Sequence, residues 1–439
     1  MQDSDLVVTE TVIAEGKTKR IVQVAGRPTE VQLISKDDIT AGDGAKHDII
    51  EGKATLANQT TCNVFRLLKA CFIPVAFEKQ SGLTSFIAPK CEMLPYEVVI
   101  RREAHGSYLK RAPHLMKGHV FPQLLLEFFL KTKDKKWKEH DLICDDPLMI
   151  HHPELKEIWL YDPKQPNLAQ TPAKTFLKLP EAEVFTHPEE ATVMEEMGVI
   201  ARKTFLVLEK AWQLQGRKLV DFKVEFGFGP SGELLLADVI DNDSWRVVDG
   251  AGNYMDKQRY RDGDDLETVT AKYREVAELT SQFSIPRQCL ILWRGSERDD
   301  FLPFLEVLSV LFTKAELLPF QIERLTLSVH KQPGQSYCML QENLPKCPDA
   351  VLIAYIGRSN GAGPTLAANA TIPVLTVPAG YKDFPLDVWS SLRAPSNVPV
   401  MTVLEPENAI LAALQILAMR NPSIYATIRL EQEKRLTNY

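Results

Sequence analysis

The 439-residue chain has no run approaching the roughly 18–20 consecutive apolar residues that a membrane span requires. Its start, Met1-Gln2-Asp3-Ser4-Asp5, lacks the basic flank and apolar core of a signal peptide, so a cytoplasmic protein with no membrane partner is expected. Cysteine is sparse. The seven residues are scattered, with no pair at CxxC spacing, and an odd count in a long chain suits free thiols better than a disulfide framework or a zinc site. Basic charge is not in excess either: 51 Lys and Arg stand against 58 Asp and Glu, a formal net charge of −7. No domain-wide positive field exists to hold a nucleic-acid polymer. Internal repeats and low-complexity tracts are also missing. What is present is ordinary globular composition, 45% hydrophobic and 25% charged, which excludes disorder or a coiled coil as a global description. Single domains usually run to about 100–200 residues, so this chain should form at least two.

The first half reads as an α+β arrangement. Val-, Ile- and Thr-rich runs over residues 6–35 flank the Gly26-Arg27-Pro28 turn and predict an antiparallel ribbon. Helical spacing of Leu56, Val64, Leu67 and Leu68 predicts a helix from Ala54 to Ala70, and strands are predicted near Phe86-Ile87 and Glu97–Ile100. Residues 131–195 are charged and punctuated by proline, which predicts a long surface excursion. A helix from about Glu190 to Gln213 should lead into a hairpin of Lys218–Phe226 and Leu234–Ile240, turned at Gly229-Pro230-Ser231-Gly232. A polar helix to about Ser281 reads as a linker. After Pro286 the pattern changes. Cys289–Trp293, Ala350–Ile356 and Val374–Val377 are apolar strand candidates separated by stretches long enough for crossover helices. They predict βαβ units and a parallel sheet, with a ligand site at the strand C-termini.

Several clusters have chemistry in them. Gly16-Lys17-Thr18-Lys19 suits a polyphosphate, although it lacks the earlier glycine of a Walker A loop. Alone, it would ordinarily be a solvated turn. Asp37 to Gly44, then Glu51-Gly52-Lys53, concentrate acids and glycines in a loop before a helix, suited to a small anionic or metal-bound ligand or simply to an acidic surface. Arg101-Arg102 at a strand end, followed by Gly106-Ser107, can form a phosphomonoester pocket. On the hairpin, Lys223 and Glu225 share a face, and Asp238, Asp241, Asp243 and Arg246 lie on or after the partner strand. Glu225 between Val224 and Phe226 would bury a charge without reason unless a cation is there. Two hard oxygen ligands beside phosphates describe a Mg²⁺ site. In the second half, loops at Gly295-Ser296, Ser328 to Lys331 and Gly357 to Pro364 can converge on one crevice, with His330 as its group titrating near neutrality.

Seven ordered stretches carry a resemblance: EGKTK at 15–19, SKDDITAGDGAKHDIIEGKA at 35–54, GSYLKR at 106–111, VEFG with ADVIDNDSWR between 224 and 246, DKQRYRD at 256–262, GRSNGAGP at 357–364 and DVWSSLR at 387–393. Together they resemble the animal bifunctional enzymes of de novo purine synthesis that join phosphoribosylaminoimidazole-succinocarboxamide synthetase to phosphoribosylaminoimidazole carboxylase. The resemblance implies an α+β ATP-dependent synthetase domain over 1–262, a linker helix over 263–284 and an α/β three-layer parallel-sheet domain over 285–439. It implies ATP with Mg²⁺, no biotin, ribonucleotide, aspartate and carbon dioxide as small-molecule partners, and a homo-octamer. Gly16, Lys17 and Lys19 would serve ATP phosphates, and Glu225 and Asp238 the metal. Arg101, Gly106, Ser107 and Arg246 would take the nucleotide phosphate and carboxylates, with Asp43 and Lys223 near the reacting groups. His330 would shuttle a proton, while Ser296, Asp299, Ser328, Arg358, Ser359, Asn360 and Gly361 would hold ribonucleotide and carbon dioxide.

The second domain departs from the family pattern. Arg298 stands where a small serine is usual, Val329 and Ile356 replace alanines, and Val377-Pro378-Ala379 replaces CPP. Each change adds volume or charge beside the crevice, which predicts an impaired carboxylase kept as an assembly core. In the first domain His105 stands where threonine or alanine is usual. An alternative is therefore a diverged ATP-dependent amide ligase acting on another acid and amine.

Overall fold

In the computed structural model, residues 11–41, 46–166, 174–185, 189–312 and 318–436 are described. The chain divides into two units, residues 1–284 with 433–439 and residues 285–432.

The first unit holds two large antiparallel sheets and, among the described residues, two two-stranded ribbons. The smaller orders Val12–Glu15, Lys19–Gln23, Glu30–Ser35, Ser85–Pro89 and Lys79–Gln80. This is the ribbon predicted from the β-branched runs. Helix Lys53–Ala70 covers it, burying Val64, Phe65, Leu67 and Leu68, and Phe65 meets Phe77 and Phe86 at ring distances of 5.7 and 6.0 Å. The larger sheet has nine strands. Its central strand, Lys218–Phe228, pairs with Tyr96–Glu103 on one side and with Leu234–Ala237 and Trp245–Val248 on the other. The predicted hairpin is present, with Glu225 opposite Ala237. Helix Glu190–Leu214 buries Phe205, Leu208 and Trp212, and Trp212 packs edge-on to Trp245 at 5.3 Å.

Two expectations need correction. The excursion over 131–195 contributes strands to the core architecture: Leu148–His152, Glu157–Tyr161 and Leu177–Pro180 extend the large sheet edge by edge. Proline stops helices, but Pro147, Pro153 and Pro180 sit at strand ends, where a missing N–H costs the ladder little. Likewise, the acid-rich loop before the first helix contains a hairpin, Asp38–Ala41 with Lys46–Ile49. Residues 42–45 fall outside the described residues, so the placement of Asp43 does too. The segment expected as a linker carries helix Leu266–Thr280, N-capped by Asp265. Val269 and Tyr273 on that helix are buried with Ile39, Ile50 and Tyr260 in the first unit.

The second unit is a parallel sheet in the order Gln321–Thr326, Cys289–Arg294, Ala350–Ile356, Val374–Pro378, Val400–Thr402. Side chains alternate between two cores, as period 2 requires. Leu290, Leu292, Val351 and Ile353 pack with Phe304, Ile410 and Leu414 on one face. On the other, Ile291, Trp293, Leu352 and Ala354 pack with Leu340 and Leu366. The result is the three-layer parallel architecture expected. Strand order reverses between the first and third strands in sequence, which is where open α/β sheets form a ligand crevice.

Candidate functional sites

The central strand of the first unit carries Asp221, Lys223 and Glu225 at alternate positions, hence on one face. At one end, Asp221 Oδ2 accepts from Arg101 Nη1 and Arg246 Nη1, both at 2.7 Å. Arg101 also donates to Glu127 at 2.8 Å, and Glu127 accepts from Arg111. Arg101, Asp221 and Arg246 line a cavity of about 250 Å³ with Glu97, Ser107, Lys223, Asp243 and Arg261. Gly106 precedes Ser107 with φ +55, and a Cβ there would lie 2.7 Å from Arg246 Cζ. Only glycine lets the guanidinium come against the backbone.

Four residues along the strand, about 13 Å away at the usual rise, lies a second cluster. Lys19 forms an ion pair with Asp238, and Lys131 Nζ donates to Glu225 at 2.6 Å. Burial pushes the Lys19 ammonium down to about 8, against the pull of Glu225 and Asp241. Asp238 holds φ +67, a conformation that aspartate tolerates better than most residues. Lys223 bonds Glu97, and that carboxylate outweighs burial to raise its ammonium.

A pair of acids, buried Asp241 and half-buried Asp243, lies next to the cavity. Burial, then the charge of Asp243, pushes Asp241 up to about 6. Asp243 is also opposed by burial, yet Lys53 at 3.8 Å, Lys257 at 3.3 Å and a 2.9 Å hydrogen bond from the Tyr273 hydroxyl hold it below the usual carboxylate range.

Glu225 and Asp238 fit a magnesium ion. They are hard oxygen donors, one on the central strand and one directly after its hairpin partner, each now matched by an ammonium. Among the described residues no group of three or more acid, histidine or cysteine side chains could hold a metal. Magnesium suits such a sparse set, because it keeps waters and phosphate oxygens.

In the second unit, loops from three strand ends meet. Asp299 packs on Gly357, where a Cβ would lie 3.3 Å from the Asp299 Cγ. Burial raises the Asp299 carboxyl, although backbone N–H groups of Gly357, Ser296 and Gly295 oppose the shift. His330 is exposed, and its Nε2 lies 3.9 Å from where a Gly361 Cβ would stand. Arg358 stacks on Phe384 at 4.1 Å. Ser296 and Ser328 accept from the Arg298 and Lys331 N–H groups at 3.2 and 3.4 Å. Ser359, with φ +52, turns the chain into Asn360.

The residues predicted from sequence are thus largely brought together, with three revisions. Lys19, rather than Lys17, is the lysine at the paired carboxylates, while Lys17 lies exposed beside Gly16 near the hairpin tip. The Asn360 side chain is fully buried and spent on Ser391 and Thr376, so it holds its loop rather than facing a ligand. Val329 and Ile356 are also buried, packed with Trp293, Ala362 and Leu366. Val329 enlarges the core, whereas Ile356 also reaches the crevice loop, its Cδ1 3.9 Å from where a Gly295 Cβ would stand. Asp221 and Glu127, which hold the arginines, belong to none of the motifs that mark the site in the sequence. Asp221 had a signal, since it shares the alternation of Lys223 and Glu225. Glu127 is a single charge inside the apolar strand Val120–Leu130.

A family model described as SAICAR synthetase matches residues 12–158 and 177–280, and one described as AIR carboxylase matches 300–438. These matches define a class of enzyme that joins a ligase unit to a lyase unit. A Caenorhabditis elegans relative, "Probable multifunctional protein ADE2", is 35% identical, covering 97% of this chain and 94% of its own. A Homo sapiens relative, "Bifunctional phosphoribosylaminoimidazole carboxylase/phosphoribosylaminoimidazole succinocarboxamide synthetase", is 35% identical over 94% and 92%. A solved phosphoribosylaminoimidazole-succinocarboxamide synthase from Ehrlichia chaffeensis is 28% identical, with a TM-score of 0.48, covering 63% of this chain and all of that one. The chain belongs to the family of bifunctional phosphoribosylaminoimidazole carboxylase and succinocarboxamide synthetase, as its motifs implied. A diverged ligase for another acid and amine is not favoured, because the bifunctional relatives match across both units.

Proposed function

We propose that the first unit joins aspartate to carboxyaminoimidazole ribonucleotide with ATP, and that the second adds carbon dioxide to aminoimidazole ribonucleotide without biotin. The observation that carries the ligase reading is the alternation of Asp221, Lys223 and Glu225. It places an arginine-lined pocket and a lysine–carboxylate cluster on one strand face.

A carboxylate is a poor electrophile. Transfer of a phosphoryl group from ATP makes it an acyl phosphate. The aspartate amine then displaces phosphate and loses a proton, leaving an amide. Gly16, Lys17 and Lys19 hold the ATP phosphates. Glu225 and Asp238 hold Mg²⁺, which when bound supplies charge neutralisation on phosphate oxygens. Lys223 stands by the reacting groups, and the family resemblance assigns Asp43, outside the described residues, to the same step. Gly106, Ser107 and Arg246 receive the nucleotide phosphate and carboxylates, and Arg101 orients them through Asp221.

In the second unit His330 moves the proton at the ring carbon. Ser296, Asp299, Ser328, Arg358, Ser359 and Gly361 line the substrate crevice, while Asn360 keeps the loop in shape. With Val329 in the core, Arg298, Ile356 and Ala379 remain as the changes that would weaken this step. A cytoplasmic homo-octamer accords with the family. No helix among the described residues is long and apolar enough to cross a membrane.

The test is phosphate release from Mg·ATP, aspartate and carboxyaminoimidazole ribonucleotide. No release above a control lacking the ribonucleotide discards the ligase reading. Carboxylation of aminoimidazole ribonucleotide by bicarbonate tests the second unit in the same way.

A further inference from the structure

His105 is a buried histidine directly before the Gly106-Ser107 turn, 5% exposed. Its Nδ1 lies 2.7 Å from the Tyr254 hydroxyl and its Nε2 lies 3.2 Å from Glu103 Oε2. Glu103 also pairs with Lys218 at 2.7 Å. Burial works against the Glu103 charge, but His105 and Lys218 hold the carboxyl below its ordinary range. An ionised carboxylate can only accept, so Nε2 donates to Glu103, and Nδ1 is left to the Tyr254 hydroxyl.

That pair of hydrogen bonds ties two segments together. Tyr254 follows the strand Trp245–Val248 and is bridged to Val248, and that strand carries Arg246. The Arg246 guanidinium in turn rests against Gly106, the residue after His105. The sequence His105–Gly106–Arg246–Val248–Tyr254 therefore closes into a ring, and Ser107 and Arg246 both face the 250 Å³ cavity. Lys117 lies over the Tyr254 ring at 4.6 Å on the same assembly.

We infer that His105 is a positioning residue for the nucleotide phosphate: through Tyr254 it sets the spacing between Ser107 and Arg246, and so the affinity of this pocket for a ribonucleotide monophosphate. This rests on the ligase reading above. The lysine–carboxylate cluster lies outside this ring, on the far side of the loop that carries Asp241 and Asp243, so ATP binding should change far less than ribonucleotide binding.

The experiment measures KM for carboxyaminoimidazole ribonucleotide, aspartate and ATP in the full chain, alongside calorimetric binding of the same ribonucleotide. His105→Ala and Tyr254→Phe should each raise the ribonucleotide KM and its dissociation constant about tenfold, with kcat and the ATP KM within about twofold. His105→Asn presents Oδ1 where Nδ1 stood and should recover most of the loss. His105→Ala in a Tyr254→Phe background should add little to either single change. Unchanged ribonucleotide binding in His105→Ala, or an Asn variant no better than Ala, overturns the inference. A wild-type protein that binds the ribonucleotide but releases no phosphate sinks the ligase reading and leaves the calorimetric test of His105 standing.

Discussion

Arg101 and Arg246 donate to the same oxygen of Asp221, each at 2.7 Å, although 145 residues separate them. Two cations on one buried carboxylate make that acid the keystone of the pocket. Asp221→Ala leaves both guanidiniums short of a partner in a low-dielectric site. It should destabilise the first unit by about 3–5 kcal/mol and raise the ribonucleotide KM. Chemical denaturation followed through the tryptophans checks the first effect. A loss below about 1 kcal/mol would show that the arginines find other acceptors.

The paired carboxylates at the other end should behave differently. Glu225→Gln and Asp238→Asn remove charge without removing volume, and asparagine accepts the left-handed backbone at 238. Each should cut phosphate release at least about a hundredfold, with partial recovery at raised magnesium and little change in thermal midpoint. Full activity in both variants at low magnesium would exclude these acids as its ligands.

The pH dependence of Lys19 has two opposite signs. Its folded value of about 8 lies below the unfolded value of 10.5. Between those limits the unfolded chain binds the proton that the folded one has lost, so this group makes stability rise with pH. Phosphate affinity runs the other way, since the lysine charge is lost above about 8. The ATP KM should climb above that pH, and Lys19→Arg should remove the climb because arginine stays charged. An alkaline limb that persists in Lys19→Arg belongs to another group.

Asp241 offers a stability test with a defined window. Its carboxyl titrates at about 6 in the fold against 3.8 unfolded, burial being the main cause. The native state binds the extra proton between those values, and stability from this group falls as pH rises through them. Asparagine can still accept the 2.8 Å bond from the Asp243 N–H. Asp241→Asn should therefore melt higher than wild type at pH 8 and close to it at pH 4. An equal difference at both pH values would mean that the charge is not the cause.

In the second unit, Val329→Ala empties space in a packed core instead of clearing a crevice. A loss of about 1–2 kcal/mol is expected, with no gain in carboxylation rate. Arg298→Ser, at an exposed loop position, should leave stability unchanged. Faster carboxylation in Val329→Ala would return that side chain to the crevice wall.

Much of the site was legible because its residues alternate or cluster in sequence. Lys223 and Glu225 declared a shared face, and Asp238 declared its hairpin partner. The strand-end glycines announced the second crevice. The strands in the proline-rich stretch are not legible in sequence, because proline reports where a helix cannot run and says nothing about an edge strand. The burial of Asn360 and Val329 is hidden for a related reason. Adjacent residues in a tight loop point in opposite directions, and a local string does not say which one meets the ligand.

The sequence by itself determined the two-unit division in kind, the antiparallel and parallel sheets, and the family, because periodicity and motif order are properties of neighbours along the chain. Only the tertiary structure decided which charges meet. Lys19 with Asp238, Arg101 and Arg246 with Asp221, and His105 with Tyr254 are pairings of residues far apart in the chain. Coulomb and hydrogen-bond energies depend on the distance the fold imposes, and sequence separation sets no such distance.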